Sequence, residues 1–262
     1  MGDILNDMDL GEDKLSDPVR DAQVGLKKAL PKRFYKQAAI VPGAEGGFVV
    51  ALDGKPVRTR SRQELVVPHA DLAEAIAAEW EAQKDEIDPA TMPLTRMVNT
   101  AIDGVAAAQE EVFEDILRYA GSDLLCYRAD APEGLVARES EQWDPYLDWA
   151  ASMGARLSLA EGIVHVEQPA EAIRAVAVLL RRYATPLQLT ALHTITSLTG
   201  SLILALALAD GQGEASEIWA AAHVDEDFNI EHWGEDHEAI ARRAKRLTDF
   251  EAATLILSAF KP

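Results

Sequence analysis

The chain of 262 residues has one cysteine, Cys126, and a shortage of positive charge: 25 Lys and Arg against 44 Asp and Glu, a net charge of −19 and a pI of about 4.6. A single thiol excludes an internal disulfide framework and any cysteine-rich zinc finger, and it fits a reducing compartment. The acidic balance argues against a broad nucleic-acid footprint, because phosphate binding requires a basic field. An anionic membrane surface is disfavoured for the same reason. The first 20 residues carry six acids and two bases, with no apolar h-region and no Arg-rich presequence. This predicts a cytoplasmic protein in which residues 1–30 are an acidic flexible tail and lead-in.

Motifs of catalysis are also missing. There is no G-x-S-x-G elbow, since Gly200-Ser201 and Gly121-Ser122 lack the second glycine. There is no phosphate loop, and Gly211-x-Gly213 lacks a third glycine and follows a helical pattern instead of a strand. Cys126 lies in the apolar run Leu124-Leu125-Cys126-Tyr127, which reads as a buried structural thiol and not a nucleophile. No enzyme, cofactor, metal site or small-molecule substrate is expected from these features.

What the chain does have is an ordinary globular composition, 48% apolar and 26% charged. From Tyr183 to Ala209 there is no formal charge, a length sufficient to span a bilayer. The stretch nonetheless holds His193, five Thr, two Ser, a Gly and Pro186, so it reads as a helix buried all round inside a soluble domain. Residues 27–62 carry nine bases and two acids, a local net of +7 in an otherwise acidic chain. That module reads as strands: Ala38–Val41, then Phe48–Leu52 and Lys55–Thr59 around Asp53-Gly54, a type I′ hairpin signal. From Asp71, an apparent N-cap with Glu74 three residues on, the period turns helical through Leu72, Ile76 and Trp80. Asp88-Pro89 and Met92-Pro93 break the pattern. Leu94–Tyr127 is mostly helical, with weak points at Gly104 and Gly121.

After a loop at 131–134, Asp144-Pro145 marks a helix start, because proline suits a first turn. Gly162–Val166 reads as a short strand. Helices then follow over Pro169–Tyr183, Pro186–Ala209, Glu214–Trp233 and Glu235–Phe260. The expected fold class is α+β: a small β-containing N-terminal domain over residues 31–130, followed by a larger all-helical C-terminal domain over 131–262.

Residues 223–238, HVDEDFNIEHWGEDHE, concentrate acids and histidines. Asp225, Asp227, Asn229, Glu231 and Asp236 fit a calcium-loop register, but Ile230 stands where the loop requires Gly, and the closing Glu is missing. His223, His232 and His237 with nearby acids raise a metal-dependent hydrolase as the alternative function, without an H-E-x-x-H spacing. On a helix, Asp225, Phe228, Asn229 and His232 form one stripe. Phe228 and Trp233 among carboxylates then mark either a partner-docking surface or simple packing into the bundle. A basic strip of Lys27, Lys28, Lys32, Arg33 and Lys36 around Phe34 and Tyr35 has the make-up of a single-strand binder. No RNP-type motif accompanies it, and a solvated lead-in to the first strand accounts for it.

Seven strings together resemble one family. They are KRFYK from Lys32, LDGKPVRT from Leu52, IDP from Ile87 with MPLTR from Met92 and NTAID from Asn99, SDLLCYR from Ser122, WDP from Trp143, TGSL from Thr199, and DEDFN from Asp225 with Trp233-Gly234. In order and content they resemble the alphaproteobacterial branch of the F-type ATP synthase assembly chaperones that handle the α subunit of the F(1) sector, over residues 31–260. The resemblance implies a non-enzymatic protein that binds free α subunit, prevents its aggregation and is displaced by the β subunit. It implies partner binding through Asp225, Glu226, Asp227, Phe228, Asn229 and Trp233. Relatives often carry Glu where Asp225 stands, and a Tyr-Gln pair where Phe228 and Asn229 stand.

Overall fold

Asp53 and Gly54 both take positive φ, 49° and 78°, as a type I′ turn requires. They join strand β2 (Phe48–Leu52) to β3 (Lys55–Pro56), which is shorter than the pattern suggested. Strand β1 (Ala38–Pro42) pairs antiparallel with β2, Ala38 opposite Leu52, and β4 (Val66–Val67) pairs with the far end of β2. Gly47 lies so close to this last pairing that a Cβ would sit 2.7 Å from the Val67 carbonyl oxygen. The Asp53 carboxylate accepts from the backbone N–H groups of Lys36 and Gln37 at 3.0–3.1 Å, fastening the incoming chain to the hairpin. The computed structural model describes residues 30–43, 46–162 and 166–260. The 1–30 tail thus lies outside the described residues save for Leu30, as do Lys27 and Lys28.

Helix α1 (Ala70–Glu81) covers the sheet with Leu72, Ala73 and Ile76, all fully buried. Its N-cap is His69 and not Asp71, which sits inside the first turn. Glu79 reaches from α1 to the start of α2 (Pro93–Asp103) and accepts from Leu94 N, Thr95 N and Thr95 Oγ1 at 2.7–2.8 Å, supplying the cap that Met92 lacks. The expected break at Gly104 is real: a short 3₁₀ turn follows, then α3 (Gln109–Arg118).

Helix α4 (Glu133–Ser152) runs straight through Pro145, so this proline does not start a helix. Trp143 and Tyr146 on either side of it are buried, and their packing holds the helix against the missing N–H. Strands β5 (Tyr127–Arg128) and β6 (Ala160–Glu161) pair in parallel. The strand expected at Gly162–Val166 falls largely on residues outside those described. Helix α5 (Ala170–Leu180) follows as expected.

The uncharged stretch is two helices and not one. Helix α6 (Pro186–Thr199) starts at a Thr185/Gln188 capping box and ends where Gly200 turns left-handed, φ 69°. Helix α7 (Leu202–Ala209) starts at Ser201 and is buried from Leu202 to Leu208. Among the described residues no helix is long and apolar enough to cross a membrane. The stretch Glu214–Trp233 is likewise split, into α8 (Ala215–Ala221) and α9 (Val224–Trp233), with α10 (His237–Ser258) last. The fold class is therefore α+β, a small N-terminal sheet followed by a larger helical region, and one apolar cluster runs from Tyr35 to Leu257.

At its centre Asp123 is fully buried. It accepts from Leu125 N at 3.2 Å, from Ile203 N at 3.0 Å and from the Ser201 hydroxyl. Burial outweighs these bonds and pushes its carboxyl up to about 6, from an ordinary 3.8. The folded chain thus holds this proton more tightly than the unfolded one. The group's contribution to stability is full below about pH 4 and is lost as pH rises through 6. We expect Asp123→Ala to cost about 2–4 kcal/mol, since it strands buried donors at a helix start. In urea titrations, the wild-type stability measured against Asp123→Asn should fall between pH 4 and 7 and level off above.

Candidate partner-binding site

Helix α9 is where the acidic string lies, and three arginines from two other helices hold it. Arg138 of α4 forms a fork on Glu231 with bonds of 2.9 and 2.8 Å, and its guanidinium lies 5.5 Å from the Phe228 ring. Arg243 of α10 grips Asp227 through both carboxylate oxygens, and Arg246 sits 3.7 Å from Glu226. The charges are paired bidentately or nearly so, which fixes the orientation of α9 as well as its position.

Phe228 is half-buried: its ring edge faces Gly134 at the start of α4, and its face stacks on His232 at 4.2 Å. The predicted stripe is therefore partly real. Phe228 and His232 meet, while Asp225 turns to α4 and Asn229 to the α10 side. Trp233 does not pack into the bundle; it is 87% exposed at the end of α9, where Gly234 (φ 88°) turns the chain. Asp225, Glu226 and Asn229 are also exposed.

Behind α9, two carboxyl groups face each other. Glu139 of α4 is 2% exposed and accepts from Ala129 N at 2.9 Å. Burial, and then the neighbouring carboxylate of Asp225, pushes its carboxyl up to about 7. Two such groups at one contact hold together best when they share a proton. Nothing in the sequence marked Glu139, or Arg138, as part of this site. Their signal is purely tertiary: α4 and α9 are some 90 residues apart and meet only on folding.

The calcium register is ruled out by conformation, since positions Asp225 to Glu231 are helical and not a loop. The three histidines go separate ways. His223 is buried with Nδ1 donating to Trp219 O at 2.7 Å, His232 bonds Phe228 O, and His237 opens α10. The described residues contain no group of three or more His, Cys, Asp or Glu placed to hold a metal ion. Cys126 is buried, and burial with Asp123 nearby pushes its thiol up to about 12, the reverse of an activated nucleophile. In the basic strip, Tyr35 is buried with its hydroxyl on Trp80 O, and Arg33 is spent on Glu81 and backbone carbonyls, leaving Phe34 as its one ring 74% exposed.

The ATP12 chaperone protein family matches residues 32–151. Atp12 of Paracoccus denitrificans is 40% identical, with a TM-score of 0.80 over 88% of this chain and 99% of that one. The proposed chaperone Atu1473 of Agrobacterium tumefaciens is 55% identical, with a TM-score of 0.85 over 94% and 92%. This chain belongs to the ATP12 chaperone family. The family match ends at residue 151, within α4 and before α9.

The Glu139–Asp225 contact has a pH signature. Because the folded state raises the Glu139 carboxyl toward 7, its stabilising contribution is complete in acid and is lost as pH rises through about 7. Glu139→Gln mimics the protonated form. We expect it to melt with the wild type at pH 5 and several degrees above it at pH 8, as followed by far-UV circular dichroism.

Proposed function

We propose that this protein is an assembly chaperone of the ATP synthase F(1) sector that binds the free α subunit, keeps it from aggregating and yields it to the β subunit. The observation that carries the reading is α9: a charged helix, clamped from behind by Arg138 and Arg243, that projects Trp233 almost entirely into solvent. A buried surface would remove such an aromatic from water, and a tryptophan is the strongest kind of interface anchor. Family membership supports the chaperone role, and the resemblance of the seven strings supports the α subunit as client. Residues 131–262 serve in this reading as the helical domain that presents the site, and 31–130 as the mixed domain beside it.

The physics of the task fits a protein without a reaction centre. A subunit destined for a large permanent interface exposes apolar area that associates non-specifically when bare. A temporary cover has to bind tightly enough to prevent that, and less tightly than the permanent neighbour. Exchange by competition meets both conditions without nucleotide hydrolysis.

Purified protein should suppress light scattering by isolated α subunit at near-equimolar ratio, and α, not β, should co-purify with it from cells. Trp233→Ala should weaken α binding about tenfold or more with no change in melting temperature. The double reversal Asp225→Lys/Glu226→Lys should do the same, with an intact circular dichroism spectrum. Co-purification of β or an unrelated protein in place of α would sink the reading.

A further inference from the structure

Helix α9 and the first three turns of α10 do not close on each other. Between them lies an open groove of about 720 Å³. Its floor is apolar, formed by Trp219, Ile230, Ala239, Ile240 and Leu247, and Ile240 is 38% exposed. The two walls are joined by charge, through Asp227–Arg243 and Glu226–Arg246, and not by interdigitated apolar side chains. Beside it the buried His223 ring lies tilted against Trp219, centroids 4.0 Å apart, and its Nε2, with no hydrogen-bond partner, lies 4.0 Å from Glu226. Since Nδ1 donates to the Trp219 carbonyl, that bare nitrogen is an acceptor next to a carboxylate.

The charge of the groove is graded. Of the three arginines lining it, Arg243 and Arg246 are already engaged by acids of α9 and Arg242 by Glu238 on its own helix. At the end nearest Gly234, Glu235 and Asp236 have no cation within ion-pair reach among the described residues. From Val224 to Glu238 there are seven acids and no Lys or Arg. Such an edge repels an acidic partner and repels a second copy of itself. It favours a basic one.

We propose that this groove receives a short amphipathic helix of the client polypeptide, its apolar stripe on Ile230, Ile240 and Leu247 and its Lys or Arg side chains toward Glu235 and Asp236. The proposal rests on the chaperone reading above and names the client element it grips. Two helices forming a trough offer no free backbone edge to an extended strand, whereas side chains at helical spacing fit between them. From Ala239 to Leu247 the trough runs about 12 Å, two turns of helix. It lies on the α10 side of α9.

The test uses the intact chaperone and isolated α subunit. Ile240→Glu, at a half-exposed position, should weaken α binding about tenfold or more at an unchanged melting temperature, and Ile240→Ala about threefold. Glu235→Lys should weaken it severalfold and flatten its dependence on salt. A photo-cross-linking residue at 240 should capture an α segment with apolar residues at helical spacing and a neighbouring Lys or Arg. Undiminished binding by Ile240→Glu, with Trp233→Ala still impaired, overturns the groove while leaving the client reading standing. Capture of an acidic segment, an extended segment or a second copy of this chain overturns it as well. A wild-type chaperone that binds no α subunit removes the client reading and the groove proposal together.

Discussion

The structure turns on one buried carboxylate. Asp123 sits where the uncharged run from Tyr183 to Ala209 breaks, and it takes up N–H groups at the start of α7 beside those that Ser201 caps. Without it, the Leu202 and Ile203 N–H groups at that helix start would be left unsatisfied in the middle of an apolar core. The same carboxylate also accepts from Leu125 N, so the segment after it leaves the core in a fixed direction. Arg128 then bonds back to Leu125 O, pairs with Asp144 and lies over Trp143. Ala129 donates to Glu139, and Trp143 donates to Ala221 O just ahead of α9. The segment from Asp123 to Ala129 thus connects a core cap to the back of α9.

The clamp on α9 shows which charges are spent on position and which are left for recognition. Glu231 and Asp227 are committed to Arg138 and Arg243. Exposed pairs of this kind are individually weak. Their value is geometric: a fork on each side prevents α9 from rolling about its axis. The Glu139–Asp225 contact works in the opposite sense, since two acids on one seam loosen it as they ionise.

Much of the fold was legible because local chemistry and tertiary structure agree there. Asp53-Gly54 has only one good turn available to it, and Leu72 and Ile76 have only one face to bury. The misreadings came where a tertiary contact overrode a local signal. Pro145 reads as a helix start, but buried Trp143 and Tyr146 flank it and carry α4 through. Asp71 is a good N-cap by type, yet His69 takes the place because the chain enters from β4 at that point. Gly200 and His223 split two helices that read as continuous, the first by its left-handed φ and the second by burial against Trp219. For the site, the acids and aromatics of α9 were visible as a string, but which of them point outward was not. That depended on Arg138, Glu139, Arg243 and Arg246, which lie on other helices and meet α9 only on folding.

An exposed tryptophan and an open apolar groove are liabilities for any free protein, because they favour self-association. The net charge of −19 answers that directly: two acidic α9 edges approaching each other meet repulsion before their apolar floors can touch. The same field draws in a basic surface. Repulsion between like edges and attraction of a basic surface therefore have one physical source, and both weaken together as salt screens it. Apolar contact supplies the strength of the grip once the partner is seated, while charge decides who is seated. On the function proposed above, a cover built on that division holds a sticky subunit firmly and still surrenders it to a neighbour that offers more apolar area.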